Sequence, residues 1–433
     1  MNPRSLARLP NCRRGNFAIM AALIMPALIG AAGIALDVSQ ALLVKSQLQD
    51  AADAALLNGV APSSKIMAFA LQSNAEGEVA APTTEVEAFF KAAMHDSRFA
   101  KDIAIDTIKT NRKDGALLAT MIYKASVPTT LSRIFGYELI AVSGIATVTT
   151  PLPLFRDYYV LLDNSPSMGV AATVQDIALM EKKTSGKCAF ACHTTETGGQ
   201  DNYQIARANK IKLRIDLLEK AAQVMIETSE EKRTYPSQYR FAMYNLGSQI
   251  STPQLTLFSE MAYPSKALQE NLSTLQLMSL RRHGERDHAG TELFAAMSTL
   301  VDLMGNQGTG KSAANPLKTI IVVTDGLENS RKQDCAKPKV PSSGVCQEPL
   351  DDKVCDTAKK KGIDVAILYT TYLPLPDDSW YRRWISPFQS EIGKRLGACS
   401  SKDMFIEATF KDDLAKAMSA LFEKTLGSSR VAE

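Results

Sequence analysis

The stretch that decides the fold is Y-Y-V-L-L-D-N-S-P-S, residues 158–167. It opens with five apolar or aromatic residues and reaches its first charge at Asp163. A short run of this kind, bounded by turn-forming residues, predicts a buried strand. The next residues read D-x-S-x-S, with Asp163, Ser165 and Ser167 at alternate positions. The stretch therefore predicts a strand that ends in a carboxylate and two hydroxyl groups.

A second run, T-I-I-V-V at residues 319–323, is followed by Thr324, Asp325 and Gly326. Helical and strand patterns alternate around the two runs. The predicted helices are 211–226, 293–304, 354–361 and 412–426, and the further predicted strands are 240–246 and 363–369. This alternation predicts an α/β fold with an open, mostly parallel sheet flanked by helices. Ligands bind such sheets at the carboxyl ends of strands, where Asp163 and Asp325 are expected.

These side chains suit a hard divalent cation. Ser165 and Ser167 offer neutral oxygens, and Asp163 and Asp325 supply charge. Mg²⁺ prefers octahedral oxygen coordination and keeps several waters, so two acids with hydroxyls are sufficient and leave room for a carboxylate of a partner. Asp and Ser also form turns and helix caps, so D-x-S-x-S alone is weak evidence. The preceding strand and the second strand ending in T-D-G strengthen the metal interpretation.

Residues 155–428 resemble a von Willebrand factor A domain. The metal-ion-dependent adhesion site of that family combines D-x-S-x-S, a later Thr and the Asp of T-D-G. Ala289-Gly290-Thr291 matches the middle element with one Ala where Gly is common. The resemblance implies a Rossmann-like α/β domain with Mg²⁺, or Mn²⁺ or Ca²⁺, held by Asp163, Ser165, Ser167, Thr291 and Asp325. It also implies a protein partner bound through an acidic side chain at the metal.

Near the N-terminus, residues 15–36 contain no charged side chain. As a helix they extend about 33 Å, enough to cross a hydrocarbon core of about 30 Å. Arg4, Arg8, Arg13 and Arg14 precede the stretch without an acid, and Asp37 follows it. The positive-inside rule predicts a single span with a cytoplasmic N-terminus and an exported remainder. A cleaved signal peptide is the alternative, but its apolar region runs only about 7–15 residues.

The helix is predicted to continue beyond the membrane. Apolar positions recur at three- and four-residue steps, broken by Lys45: Val38, Ala41, Leu42, Leu48, Ala52, Ala55 and Leu56. Asn58-Gly59 gives the stop.

The segment resembles the TadE/TadG-like segment of Flp (tight adherence) pilus-assembly proteins. The matching text is R-R-G-N-F-A at 13–18, L-D-V at 36–38 and Q-D-A-A-D-A-A at 49–55. Prepilins cut after a Gly usually carry Glu five residues into the mature chain, and here that position holds Met20. Retention in the bacterial inner membrane is therefore expected rather than processing after Gly15. The resemblance implies partners in a pilus or secretion apparatus and a periplasmic C-terminal domain.

The middle of the chain predicts a small α+β stalk module, with a helix over 86–94 and β-rich runs over 116–127 and 139–148. Pro151 and Pro153 mark its end. The expected organisation is a basic tail at 1–16, a transmembrane and amphipathic helix at 17–58, the stalk at 60–150 and the α/β domain at 155–428.

Seven cysteines divide into Cys12 on the cytoplasmic side and six in the exported part. An even count in an oxidising compartment favours disulfides, and six cysteines allow 15 pairings. Proximity favours Cys188–Cys192 and Cys335–Cys346, which leaves Cys355–Cys399. The sequence C-x-x-x-C-H at 188–193 has one residue too many for haem attachment, and His is too scarce for a zinc site.

Composition and motifs limit the function classes. A formal charge of +3 over 433 residues argues against nucleic-acid binding. Trp380, Tyr381 and Trp384 form a candidate partner-binding surface, although a loop folded onto the domain explains them as well. No P-loop, Ser nucleophile elbow or H-E-x-x-H helix is present. We expect a non-enzymatic binding protein. The alternatives are a structural scaffold without a functional metal site and a metal-dependent phosphoester hydrolase using Asp163.

Overall fold

The structure is a computed structural model. It describes residues 15–72, 76–95, 97–185, 188–189, 193–195, 201–281, 290–337, 344–371, 374–375, 379–409 and 413–427. The chain forms two compact units that divide between Leu152 and Pro153.

The first unit combines helices with an antiparallel sheet. Its elements are α1 (Gly15–Gly59), α2 (Lys65–Gln72), β1 (Gly77–Glu78), α3 (Thr84–Met94), β2 (Lys101–Lys113), β3 (Ala116–Pro128) and β4 (Leu139–Pro151). The strands lie in the order β1-β2-β3-β4. Both β-rich runs and the helix over 86–94 were predicted. Strand β2 was not, because its apolar residues are interrupted by Lys, Asp, Asn and Arg along K-D-I-A-I-D-T-I-K-T-N-R-K.

Helix α1 has two parts with different surroundings. Its first half exposes its side chains, and it is the one helix in the described part of the chain that is long and apolar enough to cross a membrane. Its second half packs on β3, β4 and α3. The buried positions of that half are Ala41, Val44, Leu48, Ala51, Ala52, Ala55 and Leu56. Val38 and Leu42, predicted on this face, are 45% and 62% exposed instead, because the contact follows a narrower stripe that includes Val44 and Ala51.

Asp37 fixes α1 to the connection between β3 and β4. Its side chain is only 2% exposed. Its carboxylate accepts the backbone N–H groups of Thr130 at 2.7 Å, Leu131 at 3.1 Å and Ser132 at 2.7 Å. Three donors of this kind satisfy a buried carboxylate and hold the connecting segment beside the helix.

The second unit alternates strands and helices. Its elements are β5 (Arg156–Leu162), α4 (Val174–Lys183), β6 (His193–Thr194), α5 (Asn202–Ala208), α6 (Arg214–Lys232), β7 (Tyr239–Asn245), β8 (Thr256–Ala262), α7 (Lys266–Leu272), β9 (Ser279–Leu280), α8 (Leu293–Met304), β10 (Leu317–Thr324), β11 (Leu327–Ser330), β12 (Cys346–Pro349), α9 (Lys353–Lys360), β13 (Asp364–Thr370), α10 (Ser379–Trp384), α11 (Gln389–Cys399), β14 (Phe405–Ala408) and α12 (Leu414–Gly427).

The main sheet of this unit has six strands in the order β14-β13-β10-β5-β7-β8. All neighbours are parallel except β7 and β8. Strand β5 turns Tyr158, Val160 and Leu162 toward the core under α6 and α12, and Leu161 toward the core under α8, α9 and α11. Burial on both faces explains the unbroken apolar runs. The predicted fold class, a mostly parallel sheet flanked by helices, is confirmed, whereas edge strand β8 was not predicted.

Among the described residues of the second unit, the structure contains two disulfides. Cys335 pairs with Cys346 at the start of β12, and Cys355 of α9 pairs with Cys399 of α11. Both pairings agree with the predictions. The predicted Cys188–Cys192 pair lies outside the described residues, because residue 192 is not among them.

Candidate metal site

Strand β5 delivers the first part of the site to the carboxyl edge of the sheet. Asp163 follows the strand and is completely buried. One carboxylate oxygen accepts the backbone N–H of Ser165 at 3.0 Å, and the other accepts the hydroxyl of Thr324 at 2.6 Å. The hydroxyl oxygens of Ser165 and Ser167 lie 3.0 Å apart. The D-x-S-x-S loop therefore presents two adjacent hydroxyls beside a carboxylate that is already held in place.

Strand β10 brings the second carboxylate to the same edge. It runs parallel to β5 with Val323 opposite Leu162, so Asp325 follows its strand next to Asp163. Asp325 is completely buried and accepts the N–H of Leu327 at 3.2 Å. Burial and the neighbouring charge of Asp325 raise the pKa of Asp163 above its usual range. Gly326 has a φ of +71°, which favours glycine at the turn after the strand.

Thr291 reaches the site through a backbone bridge. Its N–H donates to the carbonyl of Asn329 at 3.2 Å, and the N–H of Asn329 donates to the carbonyl of Thr291 at 2.9 Å. A Cβ added at the preceding Gly290 would lie 3.5 Å from the ring of Pro166, so this segment lies against the D-x-S-x-S loop. The structure thus brings Asp163, Ser165, Ser167 and Asp325 to one edge of the sheet, and it places the segment before Thr291 against the same loop.

The site contains one residue that the sequence analysis missed. Nη1 of Arg214 lies 3.3 Å from a carboxylate oxygen of Asp325, and both side chains are completely buried. The backbone N–H of Arg214 donates to the carbonyl of Val170, just after the D-x-S-x-S loop. A signal was present, because Arg214 lies one turn before Leu218 on the apolar face predicted for α6. A charge on such a face is unusual unless it is paired.

The donors present fit a divalent cation. Asp163 and Asp325 carry two negative charges when ionised and Arg214 one positive charge, so the buried site keeps a negative charge that a cation would neutralise. The available oxygens are carboxylates and hydroxyls, which hard cations prefer. The described residues contain no cluster of three or more His, Cys, Asp or Glu side chains, so a cation here would depend on the hydroxyl groups.

A polar cleft of about 450 Å³ adjoins the site through Asn164. Asn164 is buried and donates its amide to the carbonyls of Gly247 at 2.8 Å and Gln276 at 3.1 Å. Its amide oxygen accepts the N–H of Leu246 at 3.0 Å. Most of the side chains that line the cleft are Asn, Gln, Ser or Thr. The D-x-S-x-S loop is therefore anchored to a mostly uncharged hydrogen-bonding surface that solvent reaches.

The aromatic candidates lie differently from the prediction. Tyr381 is 5% exposed, belongs to the core of the second unit and donates its hydroxyl to Gln389. Its assignment to a partner-binding surface is therefore wrong, because the ring packs inward. Trp384 is half-buried, with the guanidinium of Arg383 5.2 Å from its ring centroid. The side chain of Trp380 lies outside the described residues.

Comparisons with known proteins include one family match at the N-terminus. Residues 15–61 match the family model described as putative Flp pilus-assembly TadE/G-like, which confirms the resemblance of the N-terminal segment. No curated protein matches the chain.

Solved structures with some similarity include pilus proteins. The PilB minor pilin from Streptococcus sanguinis is 11% identical, with 75% of this chain and 78% of that chain covered and a TM-score of 0.38. The vWF domain of the type V pili tip protein Mfa5 from Porphyromonas gingivalis is 12% identical, with 65% and 98% covered and a TM-score of 0.37. Proximal thread matrix protein 1 from the mussel byssus, with a zinc-occupied MIDAS motif, is 12% identical, with 63% and 46% covered and a TM-score of 0.32. The family match thus accounts for α1 as a membrane-anchoring TadE/G-like segment, and the strand order assigns the fold class of the second unit.

Proposed function

We propose that this chain is a membrane-anchored assembly or adhesion component of a Tad/Flp pilus system, and that it binds a partner protein through a divalent metal without catalysing a reaction. The observation that carries the proposal is that Asp163, Ser165, Ser167 and Asp325 lie at one edge of the sheet, with the segment before Thr291 against the same loop. The TadE/G-like match of residues 15–61 supports the pilus context.

The chain's own residues prepare the site for a cation. Ser165, Ser167 and Thr291 would supply hydroxyl oxygens, and Asp163 and Asp325 would supply charge. Thr324 and the N–H groups of Ser165 and Leu327 hold the two carboxylates in fixed orientations. A bound Mg²⁺, Mn²⁺ or Ca²⁺ would supply a positive centre that attracts an acidic side chain of the partner. The neutral cleft beside Asn164 would then contact polar groups around that acid.

The proposed location is the bacterial inner membrane, with the N-terminus in the cytoplasm and the second unit in the periplasm. The apolar first half of α1 and the arginines before it support this orientation. The disulfides Cys335–Cys346 and Cys355–Cys399 are typical of an oxidising compartment.

A second candidate function is a structural scaffold without a functional metal site. Arg214 favours this candidate, because its buried guanidinium already neutralises part of the charge at Asp325. A hydrolase is less well supported, since phosphatases that use a nucleophilic Asp commonly place a second acid two residues later, where this chain has Ser165.

The test is calorimetric titration of the full-length protein in detergent with Mg²⁺, Mn²⁺ or Ca²⁺. Ser165→Ala and Asp325→Asn should abolish binding, whereas Ser229→Ala, which truncates an equally buried serine in the last turn of α6, should leave it unchanged. Pilus assembly is scored in cells carrying the same variants. Cation binding without any assembly defect in Ser165→Ala would favour the scaffold, and absence of binding in the unmodified chain would exclude the metal mechanism.

A further inference from the structure

The connection between β3 and β4 presents an apolar tip, which we call the 131–139 loop. It contains a single 3₁₀ turn, Ser132–Phe135. Ile134 is 76% exposed, Tyr137 69%, Phe135 57% and Leu139 52%. Four large apolar or aromatic side chains exposed within six residues form a patch rather than scattered surface residues, and such patches mark interaction sites.

The loop packs against one defined part of α1, from Gly30 to Asp37. At the C-terminal end of this part, the Asp37 carboxylate accepts the N–H groups of Leu131 and Ser132. Toward the N-terminus of α1, a Cβ added at Gly33 would lie 2.6 Å from Cβ of Leu131, and one added at Gly30 would lie 2.9 Å from the ring of Phe135. The loop therefore packs directly against α1 where two glycines leave room for it.

Both glycines lie within the charge-free stretch, residues 15–36, that would cross the membrane. Gly30 is six residues before Leu36, or about 9 Å along the helix. If the 131–139 loop were in water, the segment from Gly30 onward would be in water too. Only the residues from Gly15 to Ile29 would remain, and they span about 22 Å of a hydrocarbon core of about 30 Å. The depth of the helix thus decides the depth of the loop.

We propose that the 131–139 loop inserts into the leaflet of the lipid bilayer from which α1 emerges, as a second membrane attachment of the first unit. Ile134 and Phe135 enter the boundary between headgroups and acyl chains, a depth of about 5–10 Å that is usual for interfacial segments. Tyr137 and the exposed Arg133 suit the headgroup level, where aromatic and arginine side chains anchor proteins. The inference rests on the membrane anchoring in the proposed function, and it fixes the depth and rotation of α1.

The test measures depth with the full-length protein in vesicles of phosphatidylethanolamine and phosphatidylglycerol. Ile134→Trp places a reporter on the loop. Ile145→Trp is the matched control, because Ile145 is 62% exposed on β4, about 20 Å along the strand from Leu139, where the loop ends. The emission of the two native tryptophans is subtracted with the unmodified chain. Lipids brominated in the upper acyl chain should quench Ile134→Trp, and acrylamide should quench only Ile145→Trp.

Each outcome has a defined meaning. Equal acrylamide quenching of the two variants on vesicle-bound protein would overturn the insertion, and would leave the loop as a surface for a partner protein. Equal lipid quenching of both would overturn it too, because the unit would then lie flat on the bilayer. Phe135→Trp provides a second reporter if Ile134→Trp misfolds. Protein that does not float with the vesicles would contradict the membrane anchoring itself.

Discussion

The two edges of the main sheet in the second unit each carry a buried arginine paired with an aspartate, and they differ in what surrounds the pair. At the amino edge, Arg156 is 3% exposed and lies 3.1 Å from Asp364, which is 27% exposed. Arg156 also donates to the hydroxyl of Thr319 at 2.6 Å. At the carboxyl edge, Arg214 and Asp325 are both completely buried, and Asp163 lies beside them as a second acid.

The difference separates a structural pair from a candidate site. At the amino edge, one positive and one negative charge balance, and water reaches the acid. At the carboxyl edge, Arg214 pairs with Asp325, and Asp163 adds a second buried acid, which leaves a negative charge to be neutralised. The same pair of residue types can therefore complete a structure at one edge and leave a cation site at the other.

The largest loss of stability is expected for Arg214→Met. Removing one partner of a buried pair leaves an uncompensated charge and costs about 3–5 kcal/mol in the free energy of unfolding. Arg156→Met should cost less, because Asp364 can be solvated. Urea unfolding followed by tryptophan fluorescence measures this, since both tryptophans lie in the second unit. Equal costs for the two variants would remove the proposed contrast between the edges.

A bound cation should stabilise the second unit. At a Mg²⁺ concentration of 100 times Kd, the free energy of unfolding should rise by about 2.7 kcal/mol, and EDTA should reverse this increase. In Arg214→Met the gain should be larger at equal Mg²⁺ concentration, because a repelling charge is gone and a carboxylate is released. The measurement is the shift in the urea midpoint with and without Mg²⁺. A smaller Mg²⁺ effect in Arg214→Met would mean that Arg214 supports the site rather than opposing the cation.

Glu328 adds a pH dependence at the carboxyl edge. Burial raises its pKa from about 4.5 to about 8, although the N–H of Phe294 donates to it at 3.1 Å. A raised pKa in the folded state gives stability that is complete below pH 4.5 and is lost as the pH rises through 8. Glu328→Gln should remove this dependence and raise the free energy of unfolding by a few kcal/mol near pH 8. The measurement is the free energy of unfolding as a function of pH. The same pH dependence in the unmodified chain and in Glu328→Gln would contradict a raised pKa of Glu328.

The smallest changes in the free energy of unfolding are expected for substitutions of two threonines on strand β10. Thr319→Ala removes one hydrogen bond of Arg156, and Thr324→Ala removes the hydroxyl that donates to Asp163. Each should cost about 1–2 kcal/mol of unfolding free energy. Only Thr324→Ala should weaken Mg²⁺ binding, because only that hydroxyl orients a site carboxylate. Calorimetric titration of both variants decides whether the two edges are functionally distinct.

Much of the second unit could be predicted because its strands are buried on both faces. The strand over 319–323 and the helix over 293–304 were recognisable from unbroken or periodic apolar residues. Edge strand β8 was not, because its residues T-L-F-S-E-M-A are only half-buried and carry a weak pattern. Arg214 was missed because periodicity reports a helical face but gives no partner for a charge on it.

The sequence by itself indicated the local features: the charge-free span, the main strands and helices of the second unit, and the candidate donor motifs. These follow from hydrophobic periodicity and from motifs whose residues are close in the chain. Only the tertiary structure decided which distant groups meet. It placed Arg214 against Asp325, Thr291 against Asn329 and the 131–139 loop against Gly30 and Gly33. Such contacts depend on the packing of whole elements, which a local pattern does not record.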